Sequence, residues 1–140
     1  MKQQSTTTPS SERDFKQQNN SITEATIEIP KKVGIVGTRR FSDYKRFKEL
    51  ILPVLENIEY DTIVSGGAKG IDTLARRLAN EKNLKMIEFS SGKKSPLKRN
   101  TKIAITSDII IAMPDSQSTG TLDTIRKATK MGKTVIKIKV

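Results

Sequence analysis

The sequence predicts an α/β fold built on a parallel five-stranded sheet, and three observations lead there. Five short runs rich in Val and Ile, bounded by Gly, Pro, Asp or Ser, recur along residues 31–140. Four segments with apolar residues at helical spacing lie between those runs. No Cys is present to staple a small irregular fold, so regular packed layers must supply the core.

The elements follow in order. Residues 33–36, 62–64, 85–89, 109–113 and 134–138 each read as a buried strand, because they are short and rich in Val and Ile between turn-forming residues. Phe47, Leu50, Ile51, Val54, Leu55 and Ile58 fall on one face of a first helix, which Pro53 is expected to kink or divide. Ile71, Leu74, Ala75, Leu78 and Ala79 repeat the spacing in a second helix. A weaker third pattern runs over 97–106 with Ile103 and Ala104. The fourth holds Leu122, Ile125 and Ala128 and stops at Gly132, a C-cap residue. Strands alternating with helices require right-handed crossovers, which gives a Rossmann-like, doubly wound sheet.

Residues 1–30 differ. They are rich in Gln, Ser, Thr and Asn, with one aromatic (Phe15) and no apolar period, and are expected to form a disordered polar tail. Residues 26–29 could add a short edge strand that Pro30 stops. The chain carries 26 basic and 15 acidic residues, a net +11. Three basic and four acidic residues belong to the tail, leaving 23 and 11, a net +12, on the domain at 31–140. Such a charge favours phosphorylated or polyanionic partners.

Composition also excludes chemistry. With no Cys and no His there is no thiolate nucleophile, no Ser-His-Asp triad and no zinc site of the usual ligands. Oxygen ligation of a hard cation stays open, but no metal or cofactor is expected. No apolar run is long enough to span a bilayer and no hydrophobic signal core opens the chain, so no membrane partner and a cytoplasmic location are expected.

In a doubly wound sheet, ligands bind at the carboxyl ends of the strands, so the loops that follow strands carry the information. The first reads Gly37-Thr38-Arg39-Arg40-Phe41-Ser42-Asp43. Thr38 and Arg39 offer a hydroxyl and a bidentate cation, while Ser42 or Asp43 is equally an ordinary helix cap. The second reads Ser65-Gly66-Gly67-Ala68-Lys69-Gly70-Ile71-Asp72. Its glycines allow the backbone to approach an anion at a helix N-terminus, although the G-K-[ST] of a P-loop is missing. A glycine-rich packing turn, with Asp72 as a first-turn dipole partner, is the competing reading. The loop after the fourth strand, residues 114–121, is dominated by hydroxyl, amide and glycine positions ahead of a helix, where Thr119 or Thr121 could serve only as a cap. The run Lys93, Lys94, Lys98, Arg99, Lys102 reads either as a solvated face or, through Arg99-Asn100, as a ligand contact.

These motifs, with Ser107-Asp108-Ile109-Ile110 at a strand start and Gly120-Thr121 at a helix start, occur in the order seen in the SLOG (SMF/DprA–LOG) superfamily. More narrowly they resemble its YspA/YpsA-like branch of small stand-alone proteins, over nearly all of residues 32–140. The resemblance implies a Rossmann-like domain binding a nucleotide or nucleotide-derived ligand, as sensor or carrier. Gly66, Gly67, Gly70, Gly120 and Thr121 would lie at its phosphate and sugar. Gly37, Thr38, Arg39, Ser65, Ala68, Arg99 and Asn100 complete the candidate site, with Asp72 orienting the loop or accepting from a sugar hydroxyl, and Phe41 covering the base. Relatives often form homodimers.

Two kinds of relative set the alternatives. LOG-type enzymes cleave nucleoside monophosphates with an Arg and a Glu in the pattern P-G-G-x-G-T-x-x-E. Arg99 matches the Arg, but Thr124 stands at the Glu position and the neighbouring Asp123 lies at another azimuth, so a phosphoribohydrolase is the minority reading. DprA binds single-stranded DNA through a loop resembling residues 64–72. A +12 domain suits a phosphate backbone, whereas single-strand binders stack bases on aromatics, and only Phe41, Tyr44, Phe47, Tyr60 and Phe89 are present in residues 31–140. The sequence therefore favours one small nucleotide ligand over a strand.

Overall fold

The computed structural model describes residues 29–90 and 95–140. The expected tail over 1–28, and Lys93 and Lys94 of the basic run, lie outside the described residues. Ile29 and Pro30 are described and exposed, with no strand assigned to them.

Nine elements follow in strict alternation: β1 Lys31–Gly37, α1 Tyr44–Leu55, β2 Tyr60–Ser65, α2 Ile71–Glu81, β3 Lys85–Glu88, α3 Pro96–Thr106, β4 Ile109–Met113, α4 Thr119–Lys130 and β5 Thr134–Lys137. All strand pairs are parallel, and the sheet order is β3-β2-β1-β4-β5. The fold is the Rossmann-like α/β class expected from the alternation. After β3 the chain crosses to the far side of β1, so the topological switch falls between β1 and β4. Gly37 pairs with Met113 in register there, which brings the loops after β1 and β4 side by side.

The apolar runs are continuous because each central strand serves two cores. Val33, Ile35, Ile63, Ile111 and Met113 pack with Phe47 and Ile51 of α1 and Ile71, Leu74 and Leu78 of α2. Val36, Val64, Ile110 and Ala112 point to the other face, against Ile103 and Ala104 of α3 and Ala128 of α4. Each fully buried Ile or Phe contributes roughly 1.5–3 kcal/mol relative to an exposed one.

Helix ends follow local chemistry. The Asp43 carboxylate accepts from the Arg46 amide at 3.0 Å, so Asp43, not Ser42, caps α1. The Ser95 hydroxyl accepts from the Lys98 amide at 3.2 Å, and Pro96 opens α3 without a wasted N–H. Gly132 has φ +77°, as a residue just past a helix requires. Pro53 does not divide α1: it lies in the last turn, where the missing N–H deprives only the Glu49 carbonyl. Strand β3 ends at Glu88, one residue before the expected Phe89, and β5 ends at Lys137, one before Ile138. Among the described residues, no helix is long and apolar enough to cross a membrane.

Candidate nucleic-acid interface

An open pocket of about 320 Å³ lies over the switch point, at the carboxyl ends of the strands. Gly37, Arg39 and Arg40 from the β1 loop, Ala68 and Asp72 from the β2 loop and α2, Arg99 and Asn100 from α3, and Gly120 and Thr121 from α4 all line it. The three loops that the sequence singles out therefore converge on one cavity.

The glycine-rich loop owes its shape to Asp72. This buried carboxylate accepts from the Gly66 and Ala68 amides, each at 3.2 Å. Two amides that the sequence offered to a ligand are thus directed at the protein's own side chain, while Asp72 also lines the pocket. Burial pushes its carboxyl up to about 6, against the Ala68 amide, the Arg99 charge and the Gly66 amide, which all favour the ionised form. Ser65 is fully buried and donates to the Ile35 carbonyl at 2.8 Å, fixing the start of the loop to β1. Gly70 has φ +75°, and a Cβ there would run into the Thr38 carbonyl oxygen. Gly66 packs against Arg99, and Gly67 lies against Glu88.

Arg99 and Asn100 join this loop to α4. The Arg99 Nη1 donates to the Gly66 carbonyl at 3.2 Å, and its Nε to Asn100 Oδ1 at 3.3 Å. Asn100 Nδ2 donates to the Gly120 carbonyl at 3.2 Å and to Asp123 Oδ2 at 3.1 Å. The N-cap of α4 is Ser118, not Thr119 or Thr121, and its hydroxyl makes no capping bond because it is engaged with Asp115. The first turn of α4 thus meets the pocket without a side-chain cap, a favourable place for an anion.

Several residues take other positions than the sequence suggested. The Thr38 hydroxyl donates to Asp115 Oδ2 at 2.6 Å. Phe41 packs on the first core cluster and does not line the pocket. Tyr44 is buried between α1 and α2, its hydroxyl donating to Glu81 at 2.7 Å and its ring beneath the Arg77 guanidinium at 4.0 Å. Asp123 faces Asn100, Arg126 and Lys127; burial raises its carboxyl, and the Lys127 ammonium and Asn100 amide outweigh that to lower it. Thr124 is buried and donates back to the Gly120 carbonyl at 3.1 Å.

Two features escaped the sequence. Arg40 lines the pocket and holds Asp115 through a two-pronged ion pair; the loop composition displayed it, but only spatial pairing with β4 reveals its partner. A second cavity of about 370 Å³ adjoins the first at Arg99 and is lined by Glu88, Phe89, Ser90, Ser95, Lys98 and Lys102 as well. Lys98 and Lys102 of the basic run and Phe89, just past β3, come together there.

The Rossmann-like sheet with its glycine-rich strand-end loop belongs to the SLOG superfamily. More closely, the chain belongs to the DNA recombination-mediator protein A family, whose family model matches residues 23–93. The X-ray structure of DNA processing protein A (DprA) from Streptococcus pneumoniae is 26% identical, with a TM-score of 0.64 over 77% of this chain and 50% of that one. DNA processing protein A from Helicobacter pylori, whose structure describes its single-stranded DNA binding mode, is 25% identical, with a TM-score of 0.60 over 77% of this chain and 65% of that one. The chain therefore spans between half and two thirds of the proteins it resembles. No curated protein matches the chain.

Proposed function

We propose that this domain binds single-stranded nucleic acid along a basic groove over the strand ends. The observation that carries the reading is Arg99, which lines both cavities and so makes one track of them. The strand's backbone would pass from Arg39 and the start of α4, over Arg99, to Lys98 and Lys102 on α3. Phe89, partly exposed in the second cavity, offers one ring for a base. The Helicobacter pylori relative supports this choice over an isolated nucleotide. Binding of a fluorescent oligo-dT, followed by anisotropy, is expected to be micromolar or tighter at low salt. Absence of binding to oligomers of several lengths would reject the proposal.

A second reading, one small nucleotide as ligand, draws on the first pocket alone, whose volume of about 320 Å³ suits a small molecule. It predicts thermal stabilisation by a mononucleotide that an oligomer does not exceed. Phosphoribohydrolase chemistry finds less support, because Asp123 turns to Arg126 and Lys127 and does not line that pocket.

A further inference from the structure

The switch point already holds an anion of the protein's own. Asp115 follows β4, and its Oδ2 accepts from the Thr38 hydroxyl at 2.6 Å and from Arg40 Nε at 2.9 Å. Its Oδ1 accepts from Arg40 Nη2, and from the Gln117 amide and the Ser118 hydroxyl, both at 2.9 Å. A guanidinium fork, two hydroxyls and a backbone amide beside a helix start form a donor set of the kind that holds phosphate. The Arg40 guanidinium, then the Thr38 hydroxyl and the Gln117 amide, hold the carboxyl well below the usual carboxylate range. Arg40, Gln117 and Ser118 also line the first pocket, so the carboxylate sits on donors that a ligand entering it would meet.

We propose that Asp115 is a resident competitor for anions, occupying the Arg40–Thr38–Ser118 donors and so selecting against small ligands whose charge is concentrated in one phosphate or pyrophosphate group. A lone phosphate must displace a carboxylate tethered next to the site, whose effective concentration is on the order of mM, or bind beside it and be repelled. A strand distributes its phosphates over Arg39, Arg99, Lys98 and Lys102, and meets the penalty at one point. The inference rests on the strand-binding reading and specifies how the same site rejects mononucleotides.

The test titrates wild type and Asp115→Asn with inorganic pyrophosphate by calorimetry and with labelled oligo-dT by anisotropy. Removing one like charge at contact distance is expected to tighten pyrophosphate binding by roughly fivefold or more, and oligo-dT by a smaller factor. Adding Arg40→Gln to Asp115→Asn is expected to return pyrophosphate affinity to the wild-type level, since the gain resides in the released guanidinium. Asp115→Ser, a second neutral replacement, guards against a folding defect peculiar to Asn and must show the same gain. Pyrophosphate affinity no higher in either neutral variant, including binding to none of the proteins, overturns the proposal, as does an equal gain for the oligomer. If oligo-dT binds no protein while pyrophosphate shows the gain, the competitor role holds and the strand-binding reading fails.

Discussion

The Arg99 guanidinium donates to the Gly66 carbonyl at 3.2 Å, so one side chain of α3 both lines the two cavities and braces the glycine-rich loop. Arg99→Ala removes a charged contact, and hydrogen bonds to charged groups contribute about 1.5–3 kcal/mol, so oligo-dT affinity is expected to fall by about tenfold or more. Arg99→Lys keeps the charge but not the planar fork, and is expected to retain the salt dependence while still binding more weakly than wild type. Anisotropy titrations of both variants check this. A Lys variant that matches wild type would show that charge alone matters there.

Asp72 gives the domain a pH dependence of unusual sign. Its carboxyl is raised by burial to about 6, from an ordinary value near 3.8. Between those values the folded state holds a proton that the unfolded chain has released, so this group's contribution to stability falls as pH rises from about 4 to 6. Two pKa units correspond to roughly 2–3 kcal/mol. Asp115, whose carboxyl is held low, gives the opposite slope, but only at pH below about 4. Asp72→Asn keeps an acceptor for the Gly66 and Ala68 amides without the buried charge. Chemical denaturation is expected to show wild type losing stability from pH 4 to 6 and the variant staying level, at least as stable as wild type at pH 7. A wild type whose slope over that interval matches that of Asp72→Asn would show that Asp72 is ionised at low pH, held there by its amide donors.

Two glycines with nearly the same backbone angle differ in what surrounds them. Gly70 has φ +75° and Gly132 has φ +77°, but a Cβ on Gly70 would meet the Thr38 carbonyl, the Arg39 Cα and its carbonyl carbon, while nothing lies within 4 Å of one on Gly132. Gly132→Ala is therefore expected to cost about 1 kcal/mol, the left-handed strain alone. Gly70→Ala adds a collision between two strand-end loops and is expected to cost about 3 kcal/mol or more, with loss of oligonucleotide binding. Gly70 also has ψ −129°, a backbone region essentially restricted to glycine, which adds to the cost, and thermal denaturation of both variants measures the difference.

What the sequence displayed was what depends on near neighbours in the chain. The alternation of Val33 and Ile35 with Gly34 and Val36 between the two faces, and the stop at Gly132, are set by spacing over a few residues. The site's donors were legible as loop composition, and Arg39, Ala68, Asp72, Arg99, Asn100, Gly120 and Thr121 do line one cavity. Their pairing was not legible. Thr38 reads as a free hydroxyl until β1 and β4 align and bring Asp115, 77 positions later, within 2.6 Å. Phe41 reads as a stacking ring, yet the loop turns it onto the first core cluster, where its apolar surface is sheltered. The two cavities, on which the strand-binding proposal rests, take part of their lining from α3 and exist only once that helix is packed on the sheet.

The α3 lysines decide how far the strand extends. Lys98 and Lys102 are exposed on one face of α3 and line the second cavity, whereas the first pocket draws its positive charge from Arg39, Arg40 and Arg99. If a strand crosses both cavities, the slope of log affinity against log salt includes about 0.7 for each phosphate these lysines neutralise. The double variant Lys98→Gln/Lys102→Gln is then expected to lower the slope magnitude by about 1.4 while changing stability by no more than roughly 0.5 kcal/mol, as for surface substitutions generally. Oligomers of two or three nucleotides, which carry too few phosphates to engage both cavities, are expected to lose much less. Anisotropy titrations across a salt series with short and long oligo-dT measure both effects. An unchanged slope with the long oligomer would confine the ligand to the first pocket and favour a single nucleotide.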